Sequence, residues 1–390
     1  MIKILHPTEL RCVQCAYTPL KSEKMSETKE KLKETVDNAS RFTRSVLDDL
    51  STSEIPSTLK RDMKESYDFF LDEDERQHLT TKGSMMRSIL ITWYMARSLF
   101  LKLTPVRRII LLVGVLLAIQ GNSNDDLQVI AGILSLLFVL GLELKDKITA
   151  KDELNEGRAV QLAIMPADTP ELEGWEIWMH SRPANEVGGD LIDHLTTSEN
   201  RLALSLGDVA GKGLPAALMA AKMQATLRAI ATEYDDLAPR TDRLNQIAMR
   251  DGLPSRFASL IHVELNSESG EVTFVNAGHH PPIRINQDGF EEFKQSGPAI
   301  GLTRSASFEK ASVSLSDDDL FILYSDGVPE ARNEIGRFYS DERFFDLVKY
   351  THGMSARSVG ERIVQSVDEF VRTARQSDDL SIIIIRRLPV

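Results

Sequence analysis

The C-terminal half of this chain is organised around two glycine-aspartate stretches, Gly188-Gly189-Asp190 and Gly207-Asp208-Val209-Ala210-Gly211. Two more aspartates follow much later, Asp326 in Tyr324-Ser325-Asp326-Gly327-Val328 and Asp378 just before the apolar run Leu380–Ile385. Each aspartate stands where a predicted strand starts or stops, and the adjacent glycines permit tight loops there. A turn is the commonest use of a single Asp-Gly pair. Four such aspartates at strand boundaries in one domain favour a shared site.

The four carboxylates match the ligand preference of a hard divalent cation. Mg²⁺ and Mn²⁺ prefer carboxylate, carbonyl and water oxygens, and no thiolate lies near these aspartates in the sequence. Gathering several carboxylates without a cation is electrostatically unfavourable. The pattern therefore predicts a site for two metal ions, in which a bridging water would be activated for in-line attack on phosphorus.

Composition excludes several classes of protein. The 390 residues carry a net charge of −12 and are 42% hydrophobic and 27% charged, which is ordinary for a globular protein of two domains. A nucleic-acid binder would need a basic face, so no nucleic acid is expected as partner. The only cysteines, Cys12 and Cys15, exclude a disulfide framework, and no second Cys or His pair completes a zinc site around them.

The N-terminal residues predict helices without catalytic chemistry. Residues 1–24 are interpreted as a tail before Met25, a candidate start, and Ile2–Leu5 is far too short for a secretory signal. Residues 25–105 are interpreted as a helical regulatory region. Its predicted helices are Ser26–Leu50, Leu59–Leu71 and Met85–Leu103.

Residues 106–144 contain two apolar runs, Ile109–Ile119 and Leu127–Leu142, joined by a polar, acidic turn. A membrane-crossing helix needs about 20 apolar residues, so the first run is short. Cations flank the pair on both sides and predict a transmembrane hairpin with both ends inside; these are Arg107, Arg108, Lys145 and Lys147. A buried soluble hairpin or a dimer interface explains the short first arm equally well.

Residues 145–165 predict a linker helix, Lys145–Ile164, which Pro166 and Pro170 end. Its heptad pattern is too poor for a long coiled coil. A helix between a membrane segment and a catalytic domain is placed to transmit a signal, and a plain spacer is the alternative.

Residues 166–388 are β-rich and predict an α+β domain, a β-sandwich flanked by helices. Arg201–Leu206 alternates, as a strand with one buried face does, and Ile382–Ile385 is continuously apolar, as a strand buried on both faces is. The predicted strands are Trp175–His180, Leu202–Leu206, Phe257–Leu265, Val272–Asn276, Pro282–Ile285, Ala311–Leu315, Leu320–Tyr324 and Leu380–Ile385. The predicted helices are Pro215–Thr232, Asp242–Met249, Asp341–Tyr350 and Ala356–Thr373.

Five ordered motifs carry a resemblance to a known family. They are Pro183–Asp190 (PANEVGGD), Gly207–Gly213 (GDVAGKG), Asn276–Pro282 (NAGHHPP), Ser325–Glu330 (SDGVPE) and Asp378–Ser381 (DDLS). In this order the chain resembles the PPM-type (PP2C-like) serine/threonine phosphatases, in the bacterial branch of stage II sporulation protein E and the stress-response sigma-factor regulators. The resemblance runs from about Asp152 to Arg387 and includes Arg158–Gln161 and Pro166 of the preceding helix.

The resemblance implies a central β-sandwich and two Mg²⁺ or Mn²⁺ ions. The implied metal ligands are Asp190, Asp208, the Val209 carbonyl, Asp326 and Asp378, with Asp379 supporting them from behind or lying on the surface. Lys212 stands where the branch usually has His, and Leu191–Ile192 replace an aromatic pair. Neither departure is expected to touch a predicted ligand.

Two further residue types are candidates for catalysis. His279–His280 could act as general acid or base, but Pro281–Pro282 beside it favours a structural turn. Ser325 has neither a strained elbow nor a paired His motif around it, which argues against a serine hydrolase.

The sequence thus predicts a metal-dependent phosphatase of phosphoserine and phosphothreonine, without a phosphoenzyme. The resemblance implies a phosphorylated protein substrate such as an anti-sigma-factor antagonist, a partner-switching pathway, and dimerisation through the linker helix. The predicted location is the cell membrane with a cytoplasmic catalytic domain, the alternative being the cytoplasm. The competing hypothesis is a catalytically weak signalling scaffold of the same fold, acting through its helical and membrane region.

Overall fold

The structure is a computed structural model, and it describes residues 71, 79, 83–120, 126–166, 168–251 and 256–389. The predicted helix Ser26–Leu50, nearly all of Leu59–Leu71 and the Cys12/Cys15 pair lie outside these residues. The chain divides into two compact units, Met1–Gly141 and Leu142–Val390.

Three helices make up the described N-terminal part: α1 (Ser84–Lys102), α2 (Pro105–Gln120) and α3 (Asp126–Ile164). The predicted helix Met85–Leu103 differs from α1 by one residue at each end. The second apolar run and the predicted linker helix are one helix of 39 residues, α3. Glu143 to Lys147 are mostly good helix formers, so nothing between the two segments breaks the backbone hydrogen bonding.

Only the second arm of the predicted hairpin has the length of a membrane span. Among the described helices, α3 alone is long and apolar enough to cross a bilayer, because α2 has 16 residues where about 20 are needed. The two helices nevertheless pack closely at two glycines. A Cβ on Gly114 would lie 2.5 Å from Ser135 Oγ, and one on Gly132 would lie 2.7 Å from the Ala118 nitrogen.

The described part of the second unit contains two five-stranded sheets, every neighbouring pair antiparallel. Sheet A has the order β1-β10-β9-β6-β7, and sheet B has the order β2-β3-β4-β5-β8. The strands are β1 (Trp175–Arg182), β2 (Asp190–Ser198), β3 (Arg201–Val209), β4 (Ala258–Asn266), β5 (Glu271–Ala277), β6 (Ile283–Asn286), β7 (Gly289–Glu292), β8 (Ala311–Ser314), β9 (Leu320–Tyr324) and β10 (Leu380–Arg387). The helices are α4 (Leu214–Ile230), α5 (Leu237–Asp251), α6 (Asp341–Val348) and α7 (Ala356–Val371).

The two sheets face each other across an apolar core, with helices on both outer faces. Leu204 and Leu206 of sheet B meet Leu323, Ile383 and Ile385 of sheet A in this core. Helices α4 and α5 cover the outside of sheet B, and α6 and α7 cover the outside of sheet A. The predicted α+β sandwich flanked by helices is confirmed.

Strand β10 shows why its sequence is continuously apolar. Ile383 and Ile385 point into the core between the sheets, whereas Ile382 and Ile384 pack under the helices of the outer layer. All four are fully buried. At about 25 cal/mol per Å² of buried apolar surface, such a strand contributes several kcal/mol before chain entropy is subtracted.

Two observed strands, β2 and β7, were not predicted. Strand β2 begins at Asp190, and its polar Asp193 and His194 obscure the alternation in the sequence. Asp193 is nevertheless buried, because both of its carboxylate oxygens accept hydrogen bonds from Arg228 on α4, at 2.6 and 2.9 Å.

Candidate active site

Strands β2 and β3 bring the first two predicted ligands together. Asp190 opens β2 and lies directly opposite Asp208 near the end of β3. Asp190 is 5% exposed, and neither of its carboxylate oxygens has a hydrogen-bond partner. Burial, with Asp208 and Asp379 nearby, raises the pKa of Asp190 well above its usual value, even though the nearby Ser381 and Ser325 hydroxyls act in the opposite direction. A buried carboxylate without partners is unfavourable, so Asp190 lacks the counter-charge that its position requires.

Asp326 and Asp378 reach the same place from sheet A. Asp326 follows β9 and Asp378 precedes β10, the strand that pairs with β9. Burial and the neighbouring carboxylates of Asp208 and Asp378 raise the pKa of Asp326 to about 7. Burial, followed by Asp378 and Asp379, raises the pKa of Asp208 to about 6. The four predicted carboxylates therefore act on one another electrostatically, as groups in one site do.

Asp379 fixes the loop that carries Asp190. Its Oδ1 accepts the N–H of Ala184 at 2.7 Å, and its Oδ2 accepts the N–H groups of Gly189 at 2.5 Å and Asp190 at 3.3 Å. A Cβ on Gly188 would approach the same Oδ2. Gly327 is equally constrained, because a Cβ there would collide with the Asp379 carbonyl oxygen. The glycines of two motifs thus allow the backbone to pack closely against the side chain and the main chain of Asp379.

Ser325 has a structural role between the same strands. Its hydroxyl donates to the Asp379 carbonyl at 3.1 Å and accepts the N–H of Ser381 at 3.0 Å. Because that single proton goes to Asp379, none is left for the nearby Asp190 carboxylate. The residue is fully buried. These bonds argue against Ser325 as a nucleophile.

Lys212 contacts a predicted ligand, so the expectation that it touches none was wrong. Its ammonium donates to Asp378 Oδ2 and to the Ser377 carbonyl, both at 2.7 Å. The pair joins residues 166 positions apart, a contact that no local pattern reveals. The other departure, Leu191–Ile192, is buried. Leu191 packs in the core beneath α4 and α5, and Ile192 packs in the core between the two sheets, and in these cores neither contacts a predicted ligand.

The histidine motif lies in the connection from β5 to β6. Its Asn276 side chain accepts the His279 N–H at 2.8 Å, and Gly278 takes a positive φ of 72°. His279 Nδ1 lies 2.7 Å from Ser259 Oγ. Burial, then His280, lowers the pKa of His279 to about 3, so the ring is neutral at physiological pH. These contacts suit a structural turn.

A cavity of about 260 Å³ opens beside the carboxylates. Its lining includes Asp208 and Asp326 together with His279, His280 and Gln295. Gln295 was not among the predicted site residues, because it follows β7 in a segment without any motif. The cavity gives a small polar group access to two of the four carboxylates.

The donor set fits a divalent cation. All four side chains offer oxygen, and the two orphaned oxygens of Asp190 mark where positive charge is missing. Among the described residues, no group of three or more His, Cys, Asp or Glu side chains already has the spacing of a coordination shell. Metal binding would therefore draw these aspartates closer together, and the ligand assignment stays a prediction.

The linker part of α3 touches the Gly188-Gly189-Asp190 loop directly. Gln161 Nε2 donates to the Gly188 carbonyl at 2.8 Å, and Gln161 Oε1 accepts the Gly188 N–H at 3.1 Å. Gln224 of α4 donates to the Ile164 carbonyl at 3.0 Å. One side chain of the linker thus satisfies both backbone groups of a residue two positions from Asp190.

Comparison with known proteins agrees with this geometry. Residues 198–388 match the model of the family "Stage II sporulation protein E (SpoIIE)". Protein IcfG of Synechocystis sp. is 27% identical over 306 residues, covering 69% of this chain and 47% of that protein. The phosphoserine phosphatase RsbU of Bacillus subtilis is 24% identical over 239 residues, covering 61% of this chain and 70% of that protein. The chain thus spans about half the length of the first relative.

Among solved structures, the SiaA-PP2C domain of Pseudomonas aeruginosa superposes with a TM-score of 0.55 at 23% identity. The match covers 62% of this chain and 98% of that domain, and it shows the fold. Over residues 198–388 the chain thus matches the SpoIIE family, and it is similar to the phosphoserine phosphatases RsbU and RsbP.

Proposed function

We propose that this protein is a metal-dependent protein phosphatase that hydrolyses phosphoserine and phosphothreonine in a bacterial partner-switching pathway. The observation that carries the proposal is the buried Asp190 carboxylate, whose two oxygens have no hydrogen-bond partner although the carboxylates of Asp208 and Asp379 lie nearby. A structural carboxylate would be paired. An unpaired one amid others is suited to a cation.

Each side chain has a defined task in this proposal. Asp190, Asp208, Asp326, Asp378 and the Val209 carbonyl would hold two Mg²⁺ or Mn²⁺ ions. Such ions, when bound, supply an activated water and neutralise charge on a phosphoryl group. Asp379 holds the Asp190 loop in register through three N–H groups. The cavity lined by His280 and Gln295 leaves room for the phosphorylated side chain beside Asp208 and Asp326.

The proposed substrate is a phosphorylated protein, of the kind of an anti-sigma-factor antagonist. Two relatives carry the name phosphoserine phosphatase, which supports this class of substrate. The cavity is small and open beside the carboxylates, so it would accept one phosphorylated side chain while the remainder of the partner stays outside.

We further place the protein at the cell membrane as a dimer, with its catalytic domain in the cytoplasm. Helix α3 supports the anchor by its length and composition. Arg107, Arg108, Lys145 and Lys147 flank the apolar segments and favour both ends inside, with α2 packed on α3 as the first arm. Gln161 supports regulation through the linker, because any shift of α3 would move the Gly188 backbone.

Asp326→Ala tests the proposal. The variant should lose Mn²⁺-dependent hydrolysis of a phosphoserine peptide while its circular dichroism spectrum stays unchanged, because Asp326 lies in a loop after β9. Asp346→Ala is the matched control, since that side chain on α6 is 64% exposed and, within the described part of the chain, its ion pair is with Lys349. Full activity in Asp326→Ala would refute the site. A wild type that binds no Mn²⁺ by calorimetric titration would favour the scaffold hypothesis.

A further inference from the structure

Helix α1 exposes an apolar face that the described structure leaves uncovered. Met86, Ile89 and Trp93 follow a helical spacing and are 54%, 56% and 63% exposed. Residues three and four apart share one face of a helix, so these side chains form a continuous ridge. Ile91, Met95 and Ser98 on the opposite side are less exposed.

The charged residues in the sequence of α1, α2 and the connection between them are all basic. From Ser84 to Asn124 the sequence contains no Asp or Glu. It contains five cations over the same span, namely Arg87, Arg97, Lys102, Arg107 and Arg108. Arg87 and Arg97 are exposed on α1 itself. Helix α1 therefore combines an exposed apolar stripe with exposed basic residues.

Arg108 ties α1 to the apolar helix that follows. Its Nε donates to the Phe100 carbonyl at 3.1 Å and its Nη2 to the Leu101 carbonyl at 2.5 Å. The last carbonyls of a helix lack partners within the helix, so this guanidinium completes the end of α1 and fixes the turn into α2. Helix α2 continues the exposed apolar surface with Val106, Ile109 and Leu116.

We propose that α1 lies flat in the headgroup layer of an anionic membrane, with Trp93 toward the acyl chains and Arg87 and Arg97 on lipid phosphates. An amphipathic helix with basic residues and a tryptophan on its apolar side suits this location. Each cation near an anionic surface strengthens binding roughly fivefold. A second copy of the chain suits the ridge less, because pairing two such faces would bring Arg87 and Arg97 close to their equivalents.

Trp93 allows a local test in the full-length chain. The protein is reconstituted in phosphatidylcholine vesicles containing phosphatidylglycerol, with bromine atoms either just beneath the headgroups or near the bilayer centre. Trp175 and Trp178 are buried in the other unit, so the difference between wild type and Trp93→Phe isolates Trp93. We expect a blue-shifted Trp93 emission, stronger quenching by the shallow bromines, and loss of most of this quenching when phosphatidylglycerol is omitted.

Arg87→Gln combined with Arg97→Gln should remove the difference between anionic and neutral vesicles. Equal quenching in wild type and Trp93→Phe, with the protein still floating with the vesicles, would overturn the proposal without touching the membrane anchor or the phosphatase. Stronger quenching by the central bromines would overturn it in favour of a crossing helix. A Trp93 emission that depends on protein concentration and not on lipid charge would favour a second copy.

Discussion

Sheet B carries two buried polar clusters that differ in one respect, namely whether their members are paired. At the end of β2 and β3, Asp190 and Asp208 face each other among like charges. In the middle of β3 and β4, Ser205 and His262 form a bonded chain with Arg240 of α5. Among the described residues no cation is bonded to Asp190 or Asp208, whereas the second cluster contains the bonded guanidinium of Arg240. Buried polar groups without partners are costly, so the unpaired cluster indicates function and the paired one indicates architecture.

The paired cluster also fixes the protonation of its histidine. Arg240 can only donate, so His262 Nε2, 3.1 Å from its guanidinium, must accept. His262 Nδ1 then carries the proton and donates to Ser205 Oγ at 2.8 Å. Arg240 also donates to the Tyr234 carbonyl through Nε at 3.1 Å and Nη2 at 2.7 Å. These bonds leave the main donors of a 1% exposed guanidinium satisfied.

Asp190→Asn, in the unpaired cluster, should have the largest effect on activity and on the response to Mn²⁺. The amide keeps the size of the carboxylate but removes its charge, so we expect activity to fall to background. In the wild type, Mn²⁺ at 100 times its dissociation constant should stabilise the fold by about 2.7 kcal/mol. That gain, read from urea denaturation with and without Mn²⁺, should vanish in the variant.

Without metal, Asp190→Asn should be at least as stable as the wild type, because it relieves repulsion by Asp208 and Asp379. The control is His262→Gln, a change in the paired cluster that should keep the Mn²⁺ response. A variant that still gains stability from Mn²⁺ would show that Asp190 is not a ligand.

Arg240→Met should have the opposite signature, a loss of stability with an intact site. It leaves His262 Nε2 and the Tyr234 carbonyl unpaired, and unsatisfied buried groups cost about 1–3 kcal/mol each, so we expect about 3 kcal/mol in total. The midpoint of urea unfolding measures this. Arg250→Met, on the exposed end of the same helix, should change it little, since Arg250 pairs only with its neighbour Asp251.

Below the unfolding transition, Arg240→Met should hydrolyse a phosphopeptide at the wild-type rate per folded molecule. A variant that is fully stable but inactive would show that the two clusters are coupled through β3. The paired cluster would then serve function as well as the fold.

Acid should act on the paired cluster through His262. Burial, then Arg240, lowers the pKa of His262 from 6.5 to about 3 in the folded protein. The unfolded chain therefore takes up the proton first as pH falls, so stability is complete above pH 6.5 and is lost between there and pH 3. At pH 5 the loss from this residue should be about 2 kcal/mol.

Comparing urea unfolding at pH 7 and pH 5 in wild type and His262→Gln isolates this contribution from other titrating groups. The Gln carbonyl can still accept from Arg240 but does not titrate. An equal loss of stability at pH 5 in the two proteins would show that His262 does not contribute to acid destabilisation.

The sequence predicted the layers of this fold because burial on one or two faces leaves a local pattern. Strand β10 was evident from its unbroken apolar run, whereas β2 was missed because the partner of its buried Asp193 lies on α4. Helix α5 begins at Leu237, five residues before the predicted start at Asp242. Pro239 lies in the first turn of this helix, where proline is tolerated because its missing N–H has no helical partner.

The sequence predicted only those residues of the site that belong to local motifs. Glycine next to aspartate at strand ends identified the carboxylates, since the loop chemistry is local. The ion pair of Lys212 with Asp378, the Gln161 contact with Gly188, and the Arg240–His262 chain each join distant parts of the sequence. Such pairs depend on the packing of whole elements, which a single sequence does not contain.

Lys212→Met should give the smallest effect, a change in the affinity of the carboxylate cluster for Mn²⁺. The Lys212 ammonium is the one cation bonded to a predicted ligand among the described residues, 2.7 Å from Asp378 Oδ2. Its side chain is 56% exposed, so water screens the pair and its contribution is about 0.2–1 kcal/mol. A cation on Asp378 competes with a metal ion for the same oxygen. Calorimetric titration should therefore show Mn²⁺ binding up to about fivefold tighter in Lys212→Met, most clearly at low salt.

Lys212→Arg is the matched control, because it keeps the charge and should keep the wild-type affinity for Mn²⁺. Weaker Mn²⁺ binding in Lys212→Met would mean that the lysine orients Asp378 for the metal instead of competing with it. In the first case the carboxylate cluster is short of positive charge and Lys212 supplies part of it. In the second case, Lys212 has a structural role, and the carboxylate cluster would also contain a paired, structural contact.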